Sequence, residues 1–388
     1  ILILLLIVLG NVGYSQTQCD DSPVFILNKD ARYNSSCTGC THNDATLPNN
    51  GELSTLAPNE YRLTPNMENK SGSAWNSIGM DLRFYFELNL QLYFGTKDMT
   101  GADGIAFVLQ TDPNGSSAGA IGGGIGYAGD PLNPDPELQG IRPSIAVEFD
   151  GHWNKTGDSN APAADESHTS NTDDHVAVQK DGRARHVIAN SPPGNGYMRS
   201  EEMLYPLTGD APLSISNIQA LSPPNEYLDF RFTWDPDPDN DPNTLDGEYN
   251  VWLDIDNNGI FDGDDHVVDN FEIDLIDYFD QTRVNTIVFW GLTAAGGGYF
   301  NEHKFKYVNS SITVDFNYDA SLYCHGGTNP EPIISGLVGT FSATNGLIFF
   351  DSGTNTGSST GEIDLTNSTP GGPYTITYTI DAGCIVQK

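Results

Sequence analysis

Asp81-Leu82-Arg83-Phe84-Tyr85-Phe86-Glu87-Leu88-Asn89-Leu90-Gln91-Leu92 alternates apolar and polar residues throughout. Leu82, Phe84, Phe86, Leu88, Leu90 and Leu92 fall on one side of an extended chain, and Arg83, Tyr85, Glu87 and Asn89 on the other. That period of two predicts a strand with one face in a core. Similar runs recur at Gly104–Gln110, Ser144–Asp150, 175–179, 227–234, 249–256 and 286–292, separated by loops rich in Gly, Pro, Asn and Asp. No segment keeps a helical period over three turns. The pattern predicts an all-β fold, an antiparallel sandwich whose two sheets share one core, with very little helix.

Composition narrows the function. The chain has 388 residues, of which 38% are hydrophobic, enough to fill a core. Lys and Arg number 17 against 52 Asp and Glu, a net charge of −35. Such a surface repels phosphate backbones, so nucleic acid is not an expected partner, whereas many carboxylates suit a collector of hard cations. The apolar run from Ile1 to Leu9 is too short to span a bilayer and matches the core of a secretory signal, so 1–15 is read as a signal peptide lacking its n-region. The mature region contains no transmembrane segment by this reading, and the product is expected to be secreted, extracellular or on a cell surface. In that compartment the five cysteines favour disulfides, with Cys37 bonded to Cys40 and Cys19 to Cys324 as the expected pairs. Cys37, Cys40 and His42 could form half a zinc site, but no second pair completes it.

Chemistry concentrates in Ile145-Ala-Val-Glu148-Phe-Asp150-Gly-His152-Trp-Asn154-Lys-Thr-Gly-Asp158 and, after a long loop, Asp174-His175. On a strand, Glu148 and Asp150 share one face while Val147 and Phe149 point to the core. Buried carboxylates without partners are costly, and a bound cation removes that cost. Asn154 and Asp158 add oxygens at spacings that suit Ca²⁺, and His175 offers a nitrogen to a neighbouring transition metal such as Mn²⁺.

These residues resemble the metal-binding segment of the legume-type (L-type) lectins. Gly101-Ala102-Asp103-Gly104-Ile105-Ala106-Phe107 is similar to that family's Ala-Asp-Gly strand, 122–127 to its glycine loop, and Trp290-Gly-Leu-Thr-Ala-Ala295-Gly296-Gly to its closing loop. The resemblance implies a concanavalin-like jelly-roll sandwich with a shallow saccharide site beside the metals. It implies that Asp103 accepts hydrogen bonds from sugar hydroxyls, that the Ala102–Asp103 peptide is cis, and that Gly123 or Gly124 donates a backbone N–H. Asn154 would bridge sugar and Ca²⁺, and Ala295 and Gly296 would contribute from the closing loop. Glu148, Asp150, Asp158 and His175 would hold the transition metal; Asp150, the His152 carbonyl, Asn154 and Asp158 would hold Ca²⁺. His152 stands where the family has its stacking aromatic, with Trp153 next to it. The long stretch between Asp158 and His175 leaves Asp165 or Asp173 as alternative shared ligands.

A second Ca²⁺ loop is read at Asp254-Ile-Asp256-Asn-Asn258-Gly259-Ile260-Phe-Asp262-Gly-Asp-Asp265. Oxygens fall at the positions of an EF-hand-type loop, the Ile260 carbonyl included, with Gly at the sharp bend, but strands flank it, so a Ca²⁺-stabilised hairpin is expected. The domain plan is a lectin-like domain over 16–324, a linker over 325–333, and an incomplete second, smaller β-sandwich over 334–388 that resembles the immunoglobulin-like repeats of secreted bacterial adhesins. The function that follows is Ca²⁺-dependent binding of glycans, without catalysis, at the tip of an adhesin. The alternatives are a glycoside hydrolase on the same sandwich and a non-binding structural module. The hydrolase pattern Glu-x-Asp-x-x-Glu, begun at Glu148, meets Trp153 where its second catalytic carboxylate belongs.

Overall fold

The computed structural model describes residues 25–387 apart from 112–118, 130–139, 153–173, 183–202, 206–212, 216–225, 237–246, 280–286 and a few short gaps, together with Leu5–Ile7. The chain forms two compact units, one of residues 23–82 and 87–310, the other of 1–22, 83–86 and 311–388.

The larger unit is built on two sheets. Ten strands make the first, in the order Met203–Tyr205, Asp174–Lys180, Ser144–Asp150, Gly104–Gln110, Ile287–Gly296, Lys70–Asn76, Phe25–Lys29 and Thr41–His42, with Leu213–Ile215 and Met80–Asp81 paired alongside. The second has seven, in the order His266–Ile273, Gly247–Leu253, Leu228–Pro236, Phe86–Tyr93, His303–Ile312, Glu60–Thr64 and Arg32–Tyr33. Aromatic rings knit the two together: Phe107 lies 5.4 Å from Phe230 and 4.8 Å from Phe232, Phe149 lies 6.0 Å from Phe230, and Phe25 lies 5.4 Å from Phe305. Fully burying each such ring is worth roughly 1.5–3 kcal/mol, so these contacts fix which face of each strand turns inward.

The strands Gly104–Gln110 and Ser144–Asp150 are buried along their whole length, because the opposite face of the larger sheet is also covered. Ile125, Tyr127, Ala128 and Ile141 pack there on Trp75, Ala106, Val108 and Ala146. Glu148 and Asp150 project from this second face, as their spacing predicts.

Two sequence expectations are corrected, and the expected Cys37–Cys40 pairing is borne out. The run 81–92 is not one strand: Met80–Asp81 belongs to the larger sheet and Phe86–Tyr93 to the smaller, with a turn at Leu82 and Arg83 between them. Cys324 is an exposed free thiol, so the Cys19–Cys324 bridge is not formed; Cys19 and Cys384 lie outside the described residues. Cys37 and Cys40 are joined in a disulfide, which removes them as zinc ligands. The other strands agree with the expected runs to within a few residues at each end, and among the described residues the only α-helix is Leu275–Phe279.

The second unit contains a four-stranded sheet, Thr356–Ser358, Gly339–Ala343, Ile376–Ile380 and Ile385–Gln387, whose interior is built on Phe341, Phe349 and Tyr378. Leu5–Ile7 pairs with Leu322–Cys324 in the same unit. Among the described residues no helix is long and apolar enough to cross a membrane.

Candidate functional site

Four neighbouring strands of the larger sheet terminate on one edge. Asp150 is registered against His175 on one side and Gly104 on the other, and Gly104 in turn against Ala295. Antiparallel pairing therefore brings the end of Ser144–Asp150, the starts of Asp174–Lys180 and Gly104–Gln110, and the end of Ile287–Gly296 side by side. Residues far apart in sequence meet there through register alone.

Glu148, Asp150 and His175 form the polar centre. All three are buried, at 3%, 1% and 3% exposure, and each offers a ligand atom within 4.8 Å of the others. The His175 Nε2 lies 3.9 Å from Asp150 Oδ2, while Asp150 Oδ1 accepts the His152 backbone N–H at 2.7 Å. Glu148 Oε2 accepts a hydrogen bond from Gln179 Nε2 at 3.2 Å. Two carboxylates so far from water, with a single imidazole beside them, suit a divalent cation with mixed oxygen and nitrogen ligands. The donor set thus fits the metal that the sequence implies. Asn154, Asp158, Asp165 and Asp173, and Trp153 as well, lie outside the described residues.

Asp103 directly precedes Gly104 on the same edge and is buried, at 3% exposure. Its N–H donates to the Ala295 carbonyl at 2.9 Å and its own carbonyl accepts the Gly151 N–H at 2.8 Å. The Ala102–Asp103 peptide is cis, as the resemblance implied. Gly104 must be glycine, because a Cβ there would lie 2.0 Å from the Phe149 carbonyl oxygen.

Two glycine-bearing loops face Asp103. A Cβ on Gly297 would lie 3.9 Å from Asp103 Oδ2 and 3.3 Å from the Gly122 Cα, so these three residues converge on one point. Gly122 has a φ of +70° and open space beside it, whereas Gly123 and Gly124, the expected donors, are buried within the short 3₁₀ turn Gly122–Gly124. That loop is held down by Thr293 Oγ1, which donates to the Ile125 carbonyl at 2.9 Å. Ala295 and Gly296 are the last residues of a strand rather than members of a loop, and the exposed part of the closing segment is Gly298 and Tyr299.

Sequence reasoning missed Tyr299 and Asn301. The Tyr299 ring is 51% exposed and its centroid lies 5.2 Å from that of His152, with the planes inclined at 47°. Asn301 donates its backbone N–H to the Ala102 carbonyl at 2.9 Å, and its side-chain amide bridges the Lys97 N–H and carbonyl at 3.1 and 2.9 Å. The signal available for Asn301 was Gly95 and Gly101, which leave it room: a Cβ at either would lie within 2.5 Å of its side chain.

The second expected Ca²⁺ loop joins Gly247–Leu253 to His266–Ile273 as a hairpin. Asp254, Asp256 and Asp265 converge to within 4.8 Å, with Asp254 and Asp265 buried. Asp254 accepts the Asn258 and Gly259 N–H groups at 3.1 and 2.7 Å, and Asp265 those of Ile255 and Asp262 at 2.7 and 3.0 Å. Burial raises the Asp254 pKa despite these donors. The Asn258 side chain accepts the Ile260 N–H at 2.7 Å.

A model of the legume lectin β-barrel domain family matches residues 36–309. Similar solved structures include a lectin from Bauhinia forficata in complex with GalNAc, at 15% identity, covering 76% of this chain and 95% of that chain with a TM-score of 0.40. Basic winged bean lectin with Tn-antigen is 17% identical over 73% of this chain and 89% of its own, TM-score 0.37. The Ca²⁺-bound exoplasmic/lumenal domain of VIP36 is 15% identical over 65% and 80%, TM-score 0.34. No curated protein matches.

Proposed function

Since the chain belongs to the legume-type (L-type) lectin family, we propose that it is a secreted, Ca²⁺-dependent lectin whose saccharide site is the strand edge around Asp103. The observation that carries this reading is the register that aligns Asp103-Gly104, Asp150 and His175 on adjacent strands. Neutral sugars present pairs of hydroxyls, so a site needs a fixed carboxylate acceptor and backbone donors. Asp103 supplies the first and Gly122 the second. Glu148, Asp150 and His175 would hold a transition metal, with Asp150, the His152 carbonyl, Asn154 and Asp158 holding Ca²⁺. The ions supply charge that fixes the carboxylates and the loop after Asp150 before ligand arrives, which lowers the cost of binding.

In the same reading the hairpin Asp254–Asp265 takes a further Ca²⁺ as a structural ion. The unit around Phe341 and Tyr378 is an immunoglobulin-like spacer of a cell-surface adhesin. The protein binds glycans without hydrolysing them.

A glycan array probed in Ca²⁺ and again after chelation tests the assignment. Retention that disappears on chelation, and in Asp103→Ala and Asn154→Ala proteins that keep the wild-type melting profile, supports it. Retention unchanged in either variant removes that residue from the site, and release of reducing sugar from a bound polymer converts the reading to a hydrolase.

A further inference from the structure

Resting on the lectin reading, we infer that Thr293 is a positioning residue of the saccharide site: its hydroxyl latches the glycine loop through the Ile125 carbonyl and so sets where Gly122 stands relative to Asp103. Thr293 lies on the strand Ile287–Gly296, registered between Ser73 and Ala106, and is buried at 0% exposure. Both neighbours are small, which leaves the loop room to approach the sheet. It comes close enough that a Cβ on Gly126 would lie 2.7 Å from the Ala294 carbonyl oxygen. Beside that contact, Thr293 Oγ1 donates to the Ile125 carbonyl at 2.9 Å.

The backbone at the latch is strained. Ile125 follows the turn Gly122–Gly124 with φ +49° and ψ +28°, a left-handed conformation that a β-branched residue seldom enters. Glycine or asparagine would adopt it at less cost. Such a conformation persists only where its surroundings impose it. Here the Ile125 side chain is buried, at 1% exposure, in a cluster with Trp75, Ala106, Val108 and Ala146, and its N–H donates to the Gly122 carbonyl at 2.9 Å. The Thr293 hydroxyl completes the restraint by fixing the peptide plane between Ile125 and Gly126, and with it the direction in which the loop leaves the turn.

The same strand also holds Asp103. The Ala295 carbonyl, two residues along from Thr293, accepts the Asp103 N–H at 2.9 Å. One strand therefore carries both sides of the point where Gly122, Gly297 and Asp103 converge. A loop fixed in advance loses little freedom when a ligand arrives. Without the hydroxyl, Ile125 relaxes its φ and the Gly122 end of the loop moves away from Asp103.

The test compares Thr293→Val, which keeps the shape and removes the hydroxyl, with Thr293→Ser, which keeps the hydroxyl, in the full chain with Ca²⁺. Hydrogen exchange of the 119–128 amides is read without saccharide, and affinity is read on the glycan that the wild type retains most strongly on the array. Thr293→Val is expected to exchange faster over 119–128, with Phe86–Tyr93 unchanged, and to bind roughly tenfold more weakly, the upper range for one hydrogen bond. Thr293→Ser is expected to match the wild type in both. Wild-type exchange in Thr293→Val, or faster exchange with unchanged affinity, overturns the latch and leaves the lectin site standing. Loss of binding in Thr293→Ser does the same, because the methyl rather than the hydroxyl would then matter, and that arm decides even if Thr293→Val fails to fold. If the wild type retains no glycan, or Asp103→Ala retains it equally, the lectin reading itself has failed and the positioning claim falls with it.

Discussion

Replacing Gly104 by alanine presses directly on the joint between the two halves of the site. The added Cβ would lie 2.0 Å from the Phe149 carbonyl oxygen and 3.1 Å from the Asp150 Cα, both backbone atoms that no side-chain rotation can move away. Restoring an ordinary contact requires the strands to part by about 1 Å. The Gly151 N–H bond to the Asp103 carbonyl, now 2.8 Å, would open to roughly 3.8 Å and cease to be a hydrogen bond. Overpacking of this kind costs about 1–3 kcal/mol, and the broken bond about 1 kcal/mol more. At about 2–4 °C per kcal/mol for a domain of this size, the melting temperature should fall by roughly 5–10 °C. Glycan affinity should fall with it, because Asp103 moves relative to Asp150. Calorimetry and array titration on Gly104→Ala read both quantities. A melting temperature within about 2 °C of wild type, with full glycan retention, would refute the claim that strand register sets the site.

Removing divalent cations should lower stability as well as binding: if the ions are present at about a hundred times their Kd, chelation costs about 2.7 kcal/mol per site, and Glu148→Gln should show a smaller chelation effect in the same melt. Calorimetric titration of the chelated protein should count one fewer Ca²⁺ for Asp265→Ala than for wild type, with glycan retention unchanged once Ca²⁺ is restored; an unchanged count rejects the hairpin ion. His303 gives a pH prediction. Burial pushes its pKa down to about 3, and its Nδ1 lies 2.8 Å from Thr64 Oγ1. The unfolded chain therefore takes up the proton first, so the stabilisation is complete above the ordinary pKa near 6.5 and drains away as pH falls towards 3, at up to about 1.4 kcal/mol per pH unit. Urea unfolding between pH 7 and 4 should show this slope, and His303→Gln should flatten it; parallel pH profiles would rule His303 out.

The sandwich was legible because its strands are locally encoded: Ile105, Phe107 and Leu109, or Ile145, Val147 and Phe149, announce both a strand and its inner face. The break after Asp81 was not, since Leu82 and Arg83 keep the alternation through a turn, and nothing local says that the next strand joins the other sheet. Glu148, Asp150 and His175 could be found because their types are costly to bury without a partner. Tyr299 and Asn301 could not, because an exposed tyrosine and a buried asparagine are ordinary until register places them beside His152 and Ala102. The run 122–124 shows the same limit: a row of glycines announces that a tight turn exists but not which amide faces outward.

The burial of the acidic centre links folding to ligand binding. Glu148 and Asp150 occupy the covered face of the larger sheet, where Ala146 and Ala106 already sit beneath Ile125 and Tyr127. The hydrogen bonds from Gln179 to Glu148 and from the His152 N–H to Asp150 offset part of the cost of burying two carboxylates there, and a cation in the proposed metal site would offset more. The strand pairing that places Asp150 against Gly104 also places Asp103 at the edge, so any loss of metal that lets Asp150 recede pulls on the Gly151–Asp103 bond. Metal release should therefore abolish glycan binding before it unfolds the sandwich, whose core packs around Phe107, Phe230 and Phe232. A chelator titration followed simultaneously by glycan retention and by tryptophan fluorescence should show retention lost first, with the core signal unchanged. Simultaneous loss would mean that the cation holds the whole fold and not only its binding edge.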